Sequence, residues 1–208
     1  MNKETIHITT LPGSTLPTYA NYNDAGADVY AAEDLLIRPM ETVIIPLQFK
    51  VALPDHLEMQ VRPRSGLSLK TTLRIPNSPG TVDAGYRDLV GVVAENTANP
   101  ANLPYEMLYK ESLREDILKN HKLLYPTDPK APFTTYKGED YETPLVANTL
   151  PYLIVDKHNN PYGTLYIQQG MKIAQVVFHE VVHGQFLVVE DVTTIGTNRG
   201  GGYGSTGV

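Results

Sequence analysis

The sequence predicts an all-β fold, and three observations carry that prediction. Sixteen glycines and 16 prolines punctuate the chain between short Val/Ile/Leu runs, the texture of many turns and short strands. The runs alternate with period two, as in Thr5-Ile6-His7-Ile8-Thr9. Only one stretch, Pro104 to about Leu124, has the length of a long helix. With 208 residues and 41% hydrophobic content, the chain can bury one core as a single domain, or as one domain with a large insertion.

Taken in order, the first strand at Thr5–Thr9 is followed by a polar, proline-containing stretch to Asn23. Asp24-Ala25-Gly26-Ala27-Asp28-Val29-Tyr30-Ala31 then starts a strand whose small residues let another segment approach closely. Strands are expected at Thr42–Leu47, Phe49–Leu53 and Glu58–Arg62, separated by Pro-containing turns. Gly80 to Val90 reads as a hairpin with Asp83 and Tyr86 facing each other at its tip and Gly85 at positive φ. Gly91–Asn96 leaves that hairpin as a strand.

From about Thr97 to Pro161 the texture changes to a proline-charged mixture. Tyr105, Tyr109, Leu113, Ile117 and Leu124 form a rough helical stripe there, and Tyr125–Thr149 reads as an extended loop. Pro151–Val155 and Gly163–Ile167 read as a hairpin around His158-Asn159-Asn160-Pro161. Gly170–Phe178 returns to core strand and is expected to continue through Val181-Val182 to Phe186–Val189.

A net charge of -6 and a pI near 5.5 argue against bulk binding to nucleic acid or to a membrane surface. An anionic ligand therefore needs a local basic cluster. The absence of cysteine excludes disulfides and suits the cytoplasm, and the first residues read as no signal peptide. His179-Glu180-Val181-Val182-His183 matches the H-E-x-x-H zinc pattern, but that chemistry needs a helix. The β-branched neighbours favour a strand, in which residues four apart stand roughly 13 Å from each other. The metalloprotease reading is rejected.

Two segments suit a phosphorylated ligand. Pro63-Arg64-Ser65-Gly66-Leu67 offers a cation, a hydroxyl and an uncluttered amide in succession. The glycine-rich end, from Arg199 through Tyr203, Gly204, Ser205 and Thr206, is expected to be flexible and could close over polyphosphate.

Five segments stand in one order: Ala-Gly-x-Asp at residues 25–28, Pro-Arg-Ser-Gly-Leu, Gly-x-Val-Asp-Ala-Gly-Tyr from Gly80, Gly-x-x-Ile-Ala-Gln from Gly170, and the Arg…Gly-Ser-Thr-Gly end. Together they resemble the trimeric dUTP pyrophosphatase (dUTPase) family over everything but about 97–161. The resemblance implies a distorted jelly roll (β-clip) and a homotrimer with shared active sites, each C-terminal arm crossing to a neighbour. It implies Mg²⁺-dependent hydrolysis of dUTP to dUMP and pyrophosphate. Asp83 matches the aspartate that activates water, and Tyr86 the residue under the deoxyribose. Asn77, with the backbone of Gly80 and Val82, would read uracil. Arg64, Ser65, Gly66 and Gln175 match phosphate-binding positions, and Asp28 an aspartate holding Mg²⁺ through water. Arg199, Tyr203, Gly204, Ser205 and Thr206 match the closing arm.

The long interval between Asp83 and Gly170 marks 97–161 as an insertion into a core of 1–96 and 162–198, with 199–208 as the arm. Its two ends are expected to emerge close together. Two rival readings remain open at this stage: a dCTP deaminase-like enzyme, and a regulatory protein of the same fold whose insertion contacts a partner.

Overall fold

The computed structural model describes residues 3–124, 133–134, 140–141 and 153–201. Strands β1 (His7–Thr10), β2 (Ala27–Tyr30), β3 (Leu35–Ile37), β4 (Thr42–Pro46), β5 (Phe49–Ala52) and β6 (Leu57–Arg62) lead into the short helix α1 (Ser65–Lys70). Next come β7 (Leu73–Arg74), β8 (Gly80–Val82), β9 (Gly91–Asn96) and two helices, α2 (Leu103–Tyr109) and α3 (Glu111–Asn120). The remaining strands are β10 (Lys122–Leu124), β11 (Phe133–Thr134), β12 (Asp140–Tyr141), β13 (Leu153–Val155), β14 (Leu165–Ile167) and β15 (Lys172–Glu180).

Antiparallel sheets wrap one core in a distorted jelly roll. A four-stranded sheet has the order β2-β15-β6-β8 and a three-stranded sheet the order β4-β9-β7, while β1 pairs β5 and β14 pairs β3. Period-two alternation sets the inward face. On β6, Leu57, Met59 and Val61 are buried while Glu58, Gln60 and Arg62 face outward. Val29, Ile37, Ile45, Leu47, Phe49, Val92 and Val176 are fully buried in the shared core. No helix among the described residues is long and apolar enough to cross a membrane.

The expected hairpin around Asp83 is a turn between two sheets. The Tyr86 amide donates to the Asp83 carbonyl at 3.0 Å, but β8 pairs with β6 and β9 with β4 and β7. Buried Val90 pulls the outgoing chain away from β8, its amide bonding the Phe49 carbonyl at 2.9 Å. Gly85 does not take the positive φ expected of it. The expected hairpin of 151–155 with 163–167 forms only at its turn, where Val155 bridges Pro161 and the Tyr162 amide bonds the Ile154 carbonyl at 2.8 Å; beyond that β13 pairs with β10 and β14 with β3. A tight turn does remain there: the Asp156 carboxylate accepts from the amides of His158 and Asn160.

The single helix expected over 104–124 is two helices and a strand. The break falls at Lys110, whose φ of -106° and ψ of 88° are not helical. Of the expected stripe, Ile117 is fully buried, whereas Tyr105 and Tyr109 are exposed and meet edge to face. The 125–149 loop reading lies outside the described residues except at β11 and β12, which pair with each other. Strand β15 stops at Glu180 rather than continuing to Val189. Beyond the Val181 amide's bond to the His56 carbonyl, Val182, Phe186, Leu187 and Val188 are 83–98% exposed.

Asn96 ties both ends of the 97–161 segment to the core. Fully buried, it donates to the carbonyls of Ile37 at 2.9 Å and Gly163 at 2.8 Å. Its own carbonyl oxygen accepts from the Thr72 hydroxyl and the Ala98 amide. All the principal bonding positions of this buried amide are filled. The chain therefore leaves at Asn96 and returns at Gly163 within one hydrogen bond.

Candidate active site

The basic cluster that the acidic chain requires lies at one end of the four-stranded sheet. Strand β2 has Ala27 and Val29 inward, which places Asp28 and Tyr30 on the outer face. Asp28 is held on both sides, pairing with Gln175 of β15 and exchanging backbone bonds with Thr18. Its carboxylate is divided between two cations: Oδ1 meets Arg64 Nε and Oδ2 meets Lys172 Nζ, each at 2.8 Å. Arg64 Nη1 also donates to the Lys172 carbonyl at 3.3 Å. Asp28 in turn holds the Lys172 ammonium above the ordinary lysine range, chiefly through the hydrogen bond its carboxylate accepts from Nζ.

Gln175 completes the cluster. Its amide nitrogen donates to the Pro63 carbonyl at 2.9 Å, and a side chain at position 26 would run into its amide oxygen. What lies close over Gly26 is thus the Gln175 side chain rather than a neighbouring backbone, so a larger residue at 26 would displace that amide. Ser65 and Gly66 open helix α1 on the exposed surface, and Gly66 has no neighbour within 4 Å of the place a Cβ would occupy. Arg64, Ser65, Gly66, Asp28 and Gln175 are therefore brought to one end of the sheet.

Lys172 was missed by sequence reasoning. Strand β15 shifts register between Lys172 and Ala174, and Ile173 and Ala174 are both buried. That irregularity turns Lys172 and Gln175 to the same outer face. Two successive apolar residues between two long polar ones were the available signal.

A second group lies elsewhere. Gly80 and Val82 are on β8, paired with Val61 and Met59, and a Cβ at Gly80 would lie 3.1 Å from the Asn77 amide nitrogen. Asp83 follows, exposed, and its carboxylate has no hydrogen-bond or ion-pair partner among the described residues. The turn is clamped around it, because the Tyr86 hydroxyl donates to the Leu89 carbonyl at 2.8 Å and Arg87 Nη1 to the carbonyls of Ala84 and Tyr86.

The two groups are not together in one chain. Val82 pairs with Met59, and Gln175 pairs with Arg62. That interval of β6 alone spans roughly 10 Å, and Asp83 and Arg64 continue beyond its opposite ends. Arg199 is exposed, while Tyr203, Gly204, Ser205 and Thr206 lie outside the described residues.

No three acidic or histidine side chains gather into a metal-binding group among the described residues. Both Asp28 oxygens already face cations. A magnesium ion bound with substrate would therefore take phosphate oxygens and water as its own ligands, and Asp28 would meet it only through such a water. His179 and Glu180 lie on strand β15, the conformation their β-branched neighbours favour.

The fold defines a class: an all-β subunit of the kind seen in phage dUTPases. The Staphylococcus bacteriophage 80alpha dUTPase with dUpNHpp aligns over 99% of this chain and 100% of its own, with TM-score 0.67 and 22% identity. The phage phi11 dUTPase of S. aureus, described with a structural Mg(II) ion, aligns over 90% of this chain and 97% of its own, with TM-score 0.58 and 24% identity. In sequence, a family model described as dUTPase matches residues 13–102. The deoxyuridine 5'-triphosphate nucleotidohydrolase of Picosynechococcus sp. is 30% identical over 198 residues, covering 94% of this chain and 93% of the relative. The chain belongs to the dUTPase family. The Clostridium tetani relative is 46% identical over 81 residues, but that match spans only 56% of its length.

Proposed function

We propose that the protein hydrolyses dUTP to dUMP and pyrophosphate. The carrying observation is Asp83: an exposed carboxylate without a partner among the described residues, held in a turn that its own backbone and Arg87 clamp. In this reading Asp83 takes a proton from water as the water oxygen attacks the α-phosphorus, and pyrophosphate leaves from the opposite side. Tyr86, fixed by its hydroxyl, lies under the deoxyribose and leaves no room for a 2′-hydroxyl. Asn77, with the backbone of Gly80 and Val82, reads uracil. Arg64, Ser65, Gly66 and Gln175 hold the phosphates, and Arg199 closes from the arm with Tyr203, Gly204, Ser205 and Thr206. When bound, Mg²⁺ offsets the charge that gathers on the leaving phosphates.

The working unit is a homotrimer with each site shared between chains. Support comes from the separation of Asp83 and Arg64 along β6, and from the bare apolar segment beyond β15, with Phe186 98% and Val188 96% exposed. Both features are completed by a second copy. We place the enzyme in the cytoplasm, which suits its cysteine-free composition.

A second role is favoured by exposed Tyr105, Leu108, Tyr109 and Leu118 on α2 and α3. Segment 97–161 acts as an insertion, and these residues suit contact with a regulatory protein. The structurally similar 80alpha enzyme is described among phage dUTPases that control transfer of virulence genes.

The test is pyrophosphate release from dUTP, dCTP, dTTP and UTP, with ammonia release measured alongside to detect a deaminase. Only dUTP should be consumed, and Asp83→Asn should lower turnover by at least about 10²-fold while nucleotide binding persists. Near-normal turnover in that variant would sink the assignment.

A further inference from the structure

We infer that Lys172 is a positioning residue: by engaging one oxygen of Asp28, it keeps Arg64 on a single-pronged contact and leaves its Nη2 for substrate phosphate. The inference rests on the dUTP-hydrolysing reading. A guanidinium and a carboxylate match as two parallel forks, and a carboxylate with both oxygens free draws arginine into that two-pronged pairing. Arg64 does not meet Asp28 in that way here. Its Oδ2 is 2.8 Å from Lys172 Nζ, and Arg64 reaches only Oδ1 through Nε. Arg64 Nη1 is turned to the Lys172 carbonyl at 3.3 Å, and Nη2 has no bond among the described residues.

Lys172 thus acts at two points, its backbone on one guanidinium nitrogen and its ammonium on the carboxylate that anchors another. The register shift in β15 places both next to Asp28, and Nζ lies over the Tyr30 ring, 5.9 Å from its centroid. Removing the ammonium frees Oδ2. Arg64 then swings into the two-pronged contact and withdraws Nη2 from the phosphate.

The test uses the full chain carrying Lys172→Met, which keeps the stem but not the charge, with Lys172→Gln as a second variant should the first fail to fold. Binding of the non-hydrolysable dUpNHpp and of dUMP is measured by calorimetry beside steady-state kinetics. We expect KM for dUTP and Kd for dUpNHpp to rise about tenfold, the scale of one charge-assisted hydrogen bond. Binding of dUMP and saturated turnover should change far less, and Lys172→Arg should restore the wild-type values. Wild-type affinity for dUpNHpp in the neutral variants would overturn the inference. So would equal losses for dUMP and dUpNHpp, which a merely structural role would produce. Wild-type protein that neither hydrolyses dUTP nor binds dUpNHpp overturns the enzymatic reading itself, and this inference with it.

Discussion

Tyr86 is half exposed, yet its ring is not free to turn, because its hydroxyl is tied to the Leu89 carbonyl at 2.8 Å. A fixed ring under the sugar can exclude a 2′-hydroxyl by contact, whereas a loose one would yield. Tyr86→Ala should therefore erode the preference for dUTP over UTP by at least about tenfold, with no new base preference. Tyr86→Phe, which keeps the ring and loses the tether, should fall between. The check is the ratio of kcat/KM for the two nucleotides, and an unchanged ratio in Tyr86→Ala would place sugar selection elsewhere. At this scale the sequence was informative wherever a residue's position is set by near neighbours. Arg64-Ser65-Gly66 and Gly26-Ala27-Asp28 were legible as compact motifs. Lys172 was not, because its place beside Asp28 depends on a register shift in β15 rather than on the residues flanking it.

Among the elements, period-two alternation was a sound guide to β5, β6 and β9, where burial follows it residue by residue. It could not say which strand pairs with which. In the first expected hairpin, and in the second beyond its Val155–Pro161 bridge, the outgoing strand pairs with a segment far along the chain, β9 on β4 and β14 on β3. The helix over 104–124 breaks at Lys110, after which Ile117 rather than the tyrosines supplies the buried contact. Asn96 is the element-level joint, a fully buried amide linking the strand end to the returning chain at Gly163. Asn96→Ala would leave the carbonyls of Ile37 and Gly163 without this donor. At about 1–3 kcal/mol for each buried group left unpaired, stability should fall by at least about 2 kcal/mol. A denaturant titration reads this directly, and a shift below about 0.5 kcal/mol would show that water replaces the amide.

For the whole molecule, the separation of Asp83 from Arg64 supports the proposed sharing of the site between copies of the chain. Strand β8 runs antiparallel to β6, so the chain reaches Asp83 at the end where Met59 pairs with Val82. The cluster of Asp28, Arg64 and Gln175 stands at the other end, where Arg62 pairs with Gln175. If one site takes its aspartate from one copy and its arginine from another, two defective chains can repair each other. Asp83→Asn and Arg64→Ala should each be nearly inactive alone. Unfolded together and refolded as an equal mixture, they should form mixed trimers. A working site then needs its aspartate from an Arg64→Ala chain and its arginine from an Asp83→Asn chain, which random assembly gives for about a quarter of sites. Turnover should rise accordingly, and it should vanish when either variant is diluted far below the other. Were both residues drawn from the same chain, every site in every mixture would carry one lesion. Mixed trimers no more active than their parents would then confine the site to one subunit and remove the main argument for a shared one.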